Sequence, residues 1–106
     1  MKRYSVDLTD EAWRAIEAQI RYIAVENKSP LNAARWTIRL LAAIDSLELA
    51  PKRFALDEHQ TLVVGTNVYR LVFERTYRLL YTVDEQRHRV VVTSFRHGAS
   101  QDVSVP

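Results

Sequence analysis

The first half of the chain carries apolar residues in two different periods. Residues 4–8 alternate between apolar and polar, which is typical of a half-buried β-strand. Thr9 then offers an N-cap oxygen, and Asp10 and Glu11 fall in the first turn of the helix that follows, where the helix dipole favours carboxylates. The apolar stripe of this first helix consists of Trp13, Ile16, Ile20 and Ile23.

A second helix is predicted between two prolines. Ser29 is expected as its N-cap and Pro30 as its first residue, and Pro51 prevents the helix from continuing. Its apolar face consists of Ala33, Thr37, Leu40, Ile44 and Leu47, widened by Ala34, Trp36 and Leu41. Because only about three residues join the two helices, we expect an antiparallel hairpin. We place both tryptophans, Trp13 and Trp36, in the core.

The second half of the chain changes to a period of two. Residues 52–60 indicate an irregular charged connection, and residues 62–64 a short strand that ends at a turn over 65–67. Three further strands are predicted over 68–73, 77–83 and 89–95, and their short loops favour an antiparallel meander. The predicted fold class is therefore α+β in two layers: an N-terminal strand, an antiparallel helix hairpin and a three- to four-stranded meander.

The length and composition favour one small domain. The chain has 106 residues and no cysteine, which excludes a disulfide scaffold, a thiolate zinc site and a cysteine nucleophile. We expect a single domain over residues 1–98 and a surface tail over 99–106. The longest apolar stretches are a few residues, and no signal-peptide pattern opens the sequence. We therefore expect a cytoplasmic protein that does not bind a membrane.

The net charge of +2 hides an uneven distribution. Residues 68–98 hold six arginines against three acids, whereas residues 1–67 are balanced. Twelve of the fifteen basic residues are arginine, whose planar guanidinium suits bidentate contacts with phosphate or carboxylate. Two interpretations remain open: a surface that binds an acidic partner, or solvated arginines at strand edges and turns.

Alternation along the strand over 77–83 predicts where its arginine points. The apolar set consists of Tyr77, Leu79, Tyr81 and Val83 and is expected to pack against the helices. Arg78 then lies on the open face of the sheet, with Arg70 beside it if the register allows. Two such arginines could bind phosphate or a partner's carboxylates, or Arg78 could instead pair with an acid of the chain such as Glu74.

The end of the last strand offers one candidate for proton transfer. His97 follows Arg96 and precedes Gly98, and a histidine can exchange a proton near neutral pH. A surface or turn role is the alternative for this residue. His59 and His88 fall in predicted loops, and the scattered histidines form no metal site. The sequence also lacks a nucleophile elbow, a phosphate loop and a dinucleotide fingerprint, so we expect no cofactor.

Several of these segments together resemble the ParE/RelE toxin superfamily. The resemblance runs from about Tyr4 to Gly98 and is carried by motifs in a fixed order. These are Leu8-Thr9-Asp10-Glu11-Ala12, Pro30, Ala33-Ala34-Arg35, Leu47 with Pro51, Tyr77-Arg78-Leu79-Leu80-Tyr81, a valine-rich strand and Arg96-His97-Gly98. The chain is most similar to the ParE branch, the plasmid-stabilisation toxins.

This resemblance implies the toxin of a type II toxin–antitoxin system, with two possible targets. ParE-like members inhibit DNA gyrase by binding, whereas RelE-like members cleave mRNA on the ribosome. Arg78 matches an arginine that both branches keep. The lysines of the nuclease branch would fall near Tyr69 and Leu71, its late arginine near Ala99 and its terminal tyrosine near Val105. These departures favour gyrase. A ribosome-dependent endoribonuclease using Arg78 and His97, or a homologue that has lost toxicity, remains an alternative.

The resemblance also implies a small cognate antitoxin as partner. We expect its C-terminal segment to order on binding, with an apolar helix on the helix hairpin and acidic residues near the arginine-rich sheet. The candidate residues for binding the target or the antitoxin are Arg70, Arg78, Arg96 and His97. A homodimer, or a heterotetramer with the antitoxin, is possible, and exposed apolar surface on the hairpin could drive self-association.

Overall fold

One four-stranded sheet with a helix hairpin on one face organises residues 3–97, the part of the chain that the computed structural model describes. Its elements are β1 (Ser5–Leu8), α1 (Asp10–Arg21), α2 (Pro30–Asp45), α3 (Glu58–Val64), β2 (Tyr69–Phe73), β3 (Tyr77–Asp84) and β4 (Arg89–His97). The strand order is β1-β4-β3-β2, with β2, β3 and β4 antiparallel and β1 parallel to β4. The predicted α+β class, with a helix hairpin followed by a meander, is confirmed. The expected tail over 99–106 lies outside the described residues.

The two long helices begin in different ways. Thr9 caps α1 as predicted, because its hydroxyl oxygen accepts a hydrogen bond from the backbone N–H of Ala12 at 3.1 Å. Ser29 was expected to cap α2 in the same way, but its side chain makes no capping hydrogen bond. Pro30 nevertheless occupies the first turn of α2, where a missing N–H has no consequence. A π-helical turn over Tyr22–Glu26 leads from α1 into the connection.

The core lies between the helix hairpin and one face of the sheet. Its fully buried side chains include Ile16, Leu40, Leu79 and Tyr81. Trp36 packs edge-on against three rings, those of Phe73, Tyr77 and Phe95, at centroid distances of 5.8, 5.4 and 5.9 Å. The Tyr81 hydroxyl donates a 2.6 Å hydrogen bond to the backbone oxygen of Pro51, and burial raises the pKa of Tyr81. This bond ties the centre of the sheet to the segment that follows α2.

Three positions predicted on the apolar faces of the helices, Trp13, Ala34 and Leu41, are solvent-facing instead. Trp13 is 42% exposed, because Ala12 and Ile16 form the side of α1 that faces the sheet. Each residue turns a helix by about 100°, so Trp13 points well away from Ala12. Leu41 of α2 is 40% exposed for the same reason, since Leu40 and Ile44 face the core.

The short strand predicted over 62–64 is wrong, and the irregular connection predicted over 52–60 ends earlier, at Asp57. Residues 58–64 form the short helix α3. The carboxylate of Asp57 caps it by accepting from the backbone N–H of Gln60 at 2.9 Å, and Gly65 ends it with φ of +88°. The three consecutive apolar residues at 62–64 have neither helical nor strand periodicity. The capping residues at the two ends of the segment therefore determine its conformation. His59, expected in a loop, therefore lies in α3. No helix within residues 3–97 is long and apolar enough to cross a membrane.

Candidate functional site

Three arginines share the face of the sheet opposite the helix hairpin, and we call Arg70, Arg78 and Arg96 the arginine face. The register places Arg78 directly across from Arg96 on β4. Arg78 also lies opposite Val72 on β2, so Arg70, two residues before Val72, is its diagonal neighbour. Strand alternation turns all three away from the core, since the neighbouring Leu79 is buried under the helices. The prediction that the register brings Arg70 beside Arg78 is therefore correct.

Arg78 is much less open than the sequence suggested. Its side chain is 12% exposed, and its guanidinium lies 3.7 Å from a carboxylate oxygen of Asp57, which is itself 8% exposed. The expectation that Arg78 stands open on the sheet is wrong in this respect. The alternative partner Glu74 is also incorrect, because Glu74 pairs with Arg39 of α2.

The backbone explains why Asp57 reaches Arg78. The segment that leads into α3 runs beside β2, with the N–H of Asp57 donating to the oxygen of Val68 at 2.7 Å. The N–H of Arg70 donates to the oxygen of Ala55 at 2.9 Å in the same short ladder. Asp57 thus has two roles, as the cap of α3 and as an ion-pair partner of the sheet. Sequence reasoning missed it, although Asp57 three residues before Gln60 has the spacing of a capping box.

The other two members of the arginine face carry the accessible charge. Arg70 and Arg96 are half-buried, and within residues 3–97 neither forms an ion pair. Elsewhere in the same segment, Arg87 pairs with Asp84 at 3.2 Å and Arg89 with Asp7 at 2.8 Å. The positive excess that the sequence concentrates in residues 68–98 therefore lies on this face and at Arg75, an exposed residue of the turn between β2 and β3 that forms no ion pair within residues 3–97.

His97 does not join the arginine face. The register pairs His97 with Tyr77, and alternation along β4 turns it to the opposite side from Arg96. There its ring stacks on Tyr77 with centroids 4.9 Å apart and an interplanar angle of 22°. The Tyr77 hydroxyl accepts a 2.9 Å hydrogen bond from the side-chain amide of Gln19, and burial is the main cause of its raised pKa. His97 is thus placed at the exposed end of the aromatic core.

The positions that would carry lysines in the nuclease branch are core positions here. Tyr69 is 8% exposed and Leu71 is 4% exposed, and both belong to the hydrophobic cluster under the helices. A charged group at either position would be buried rather than presented to a phosphate. Positions 99 and 105 lie outside the described residues. Over 3–97, no group of three or more histidine, aspartate or glutamate side chains could hold a metal ion.

The arrangement suits binding better than chemistry. Arg70 and Arg96 offer planar donors to phosphate or carboxylate oxygens, with Arg78 held between them by Asp57. A proton-transfer group must lie within hydrogen-bond reach of the reacting atom. His97 points to the other side of the sheet from these arginines and therefore does not meet this condition for an anion that they bind.

Comparisons with known proteins place the chain in context. The family described as the ParE toxin of the type II toxin–antitoxin system parDE matches residues 6–102. A solved structure of a chromosomal ParDE toxin–antitoxin system from P. aeruginosa is similar, with a TM-score of 0.70, 16% identity, and coverage of 92% of this chain and 98% of that one. A structure of the toxin–antitoxin complex RelBE2 from Mycobacterium tuberculosis is similar at a TM-score of 0.56, with 23% identity over 92% and 93% of the two chains. No curated relative matches.

Proposed function

The chain belongs to the ParE toxin family of type II toxin–antitoxin systems, and on that premise we propose that it inhibits DNA gyrase by binding through the arginine face. The observation that carries this proposal is the pair Arg70 and Arg96, which lie on one sheet face without an ion-pair partner within residues 3–97. Gyrase engaged with DNA offers both phosphates and carboxylates to such donors. This action takes place in the cytoplasm.

The groups around these arginines support inhibition by binding rather than by cleavage. RNA cleavage requires a base for the 2′-hydroxyl and an acid for the leaving oxygen, placed on one phosphate. His97 is separated from Arg78 by the sheet itself, and Tyr69 and Leu71 are buried where the nuclease branch would carry lysines. We therefore assign Arg70 and Arg96 to target binding, Arg78 to organising the face, and no catalytic role to His97.

Neutralisation by an antitoxin would use the same surface. An acidic segment of the antitoxin would cover Arg70 and Arg96, which removes the donors from gyrase by direct competition. An apolar helix of the antitoxin is expected on the helix hairpin, where Trp13 is 42% exposed. Co-expression with the neighbouring small reading frame tests this partner. Failure of the two products to co-purify would reject it.

A supercoiling assay with purified gyrase tests the proposed target. We expect the wild-type chain to inhibit supercoiling and to trap a DNA cleavage complex. Arg70→Gln and Arg96→Gln should each raise the concentration needed for half-inhibition about tenfold or more, because each removes one charge-assisted contact. Arg14→Gln is the matched control, since Arg14 is an exposed arginine on α1 rather than on the arginine face.

Three outcomes would overturn the proposal. Gyrase that keeps full activity at saturating toxin, with no trapped complex, excludes it as the target. New cuts in translated mRNA, detected by primer extension and lost in Arg78→Ala and His97→Ala, would instead establish the ribosome-dependent nuclease. Normal growth on induction without the antitoxin would indicate a homologue that has lost toxicity.

A further inference from the structure

Helix α2 carries a second row of apolar residues on its solvent side. Leu31, Ile38 and Leu41 are 60%, 68% and 40% exposed, and Ala34 lies between them. We call these four residues the outer stripe. Their spacing of three and four residues follows the a and d positions of a heptad, the pattern by which helices pair.

The outer stripe is separate from the side of α2 that builds the core. That side consists of Ala33, Trp36, Leu40 and Ile44, which are all buried, and the last three belong to the core beneath the hairpin. At about 100° per residue, the outer stripe lies about a third of a turn around the helix from them. A helix that is apolar on two sides is typical of one that packs against two neighbours. Within residues 3–97, only the first of these neighbours is present.

We propose that the outer stripe binds the outer stripe of a second copy of this chain, in an antiparallel pair about a two-fold axis at Ile38. A two-fold contact requires a surface that complements itself. Antiparallel pairing centred on Ile38 brings it against its own copy and brings Ala34 against Ala42 of the second copy. These small side chains on either side of Ile38 allow the two helices to approach closely. Leu41 then packs on the aliphatic part of Arg35 across the axis.

Charge complementarity favours this pairing of α2 with itself. Arg35 and Asp45 are both exposed, and neither forms an ion pair within the described part of the chain. In the antiparallel pair, Asp45 of the second copy lies beside Leu31. Leu31 and Arg35 are four residues apart, so Asp45 of the second copy lies about 6 Å from Arg35 along the helix axis. An arginine side chain can span this distance. Two symmetric Arg35–Asp45 pairs would thus border the apolar contact and fix its direction.

The oligomeric state of the antitoxin-free chain tests this inference independently of gyrase. We expect sedimentation equilibrium at micromolar concentration to give a dimer for the wild type. Ile38→Glu should give a monomer at the same concentration, because its dimer dissociation constant should be at least tenfold higher. Val63→Glu is the matched control, because it also replaces an exposed aliphatic side chain by a carboxylate, but on α3. Val63 is 66% exposed. Circular dichroism of both variants establishes that they are folded. A wild-type monomer at every concentration, or a dimer unaffected by Ile38→Glu, overturns the proposal.

Charge exchange and cross-linking test the antiparallel geometry. Arg35→Asp and Asp45→Arg should each weaken the dimer, and the double variant should restore it. Because the chain has no cysteine, Ile38→Cys introduces a unique thiol on the axis. A short thiol–thiol cross-linker should join two Ile38→Cys chains but not two Val63→Cys chains. If Ile38→Glu abolishes binding of the antitoxin while the free wild-type chain is monomeric, the outer stripe belongs to the antitoxin and the proposal fails.

Discussion

The two faces of the sheet are built from alternate residues of the same strands, yet they have opposite properties. On β3, Leu79 is fully buried in the core, whereas Arg78 beside it lies on the arginine face. The core face brings together aromatic and aliphatic side chains that gain free energy by leaving water. The arginine face places the like charges of Arg78 and Arg96 opposite each other, which is destabilising. The comparison teaches that the core face supplies most of the stability, whereas the arginine face, apart from its buried Leu80, carries charges that suit a partner.

Truncating the core face should have the largest effect on stability. Leu79→Ala removes a fully buried side chain at the centre of the sheet and should lower the free energy of unfolding by about 2–5 kcal/mol. Urea denaturation followed by circular dichroism measures this loss. Val72→Ala is the control on the opposite face, where Val72 is 54% exposed, and should cost less than about 1 kcal/mol. Equal losses at both positions would contradict the division between the faces.

Asp57 links the arginine face to the rest of the fold, because it contacts Arg78 and caps α3. Its removal should have the next largest effect on stability. Asp57→Ala removes the cap of α3 and the carboxylate beside Arg78, which should cost about 2–3 kcal/mol. Asp57→Asn retains a capping oxygen but not the charge, so the difference between the two variants separates these roles. If both variants are as stable as the wild type, Asp57 does not hold the arginine face in place.

Tyr81→Phe tests the polar contact within the core face. Loss of the hydrogen bond to Pro51 should cost about 1–2 kcal/mol in urea denaturation at pH 7. Because the pKa of Tyr81 is raised, there is a range of alkaline pH in which its hydroxyl stays protonated in the folded state but ionises in the unfolded state. Stability should therefore fall as the pH rises above about 10, the unfolded value, by up to about 1.4 kcal/mol per pH unit. This fall should be shallower in Tyr81→Phe, and an unchanged slope would show that Tyr81 does not cause it.

Neutralising the open arginines should have the smallest effect on stability. Arg70→Gln and Arg96→Gln should each change the free energy of unfolding by less than about 0.5 kcal/mol, and removal of Arg96 also relieves its repulsion with Arg78 across the strands. Thermal unfolding measures this. The same variants are expected to lose gyrase inhibition, so a large loss of stability would remove the distinction between a structural and a binding face.

Periodicity was sufficient to predict most of this fold. Strands 69–73, 77–84 and 89–97 follow the alternating segments closely, and α1 and α2 follow the spacing of their apolar residues. The short helix α3 was not predicted, because seven residues give too little pattern and two caps determine the outcome. Trp13 was misplaced because a stripe of apolar residues is wider than the side of a helix that one sheet can cover.

The arginine face was predictable in part. Alternation placed Arg78 away from the helices, and the register added Arg70 and Arg96, as the arrangement of antiparallel strands permits. The ion pair of Arg78 with Asp57 depends on a connection whose course no local pattern specifies. His97 illustrates the same limit. It follows Arg96 directly in the sequence, but the two side chains lie on opposite faces of the sheet.

The parallel pairing of β1 with β4 has a consequence for the order in which the molecule can form. Residue 5 is aligned with residue 89, so the first strand can pair with its neighbour only after some eighty further residues have been made. During synthesis the helix hairpin emerges before β2, β3 and β4, so its apolar side stays exposed to solvent until those strands are made. The arginine face needs β4 as well, so a growing chain cannot assemble these three arginines on one surface until β4 has been synthesised.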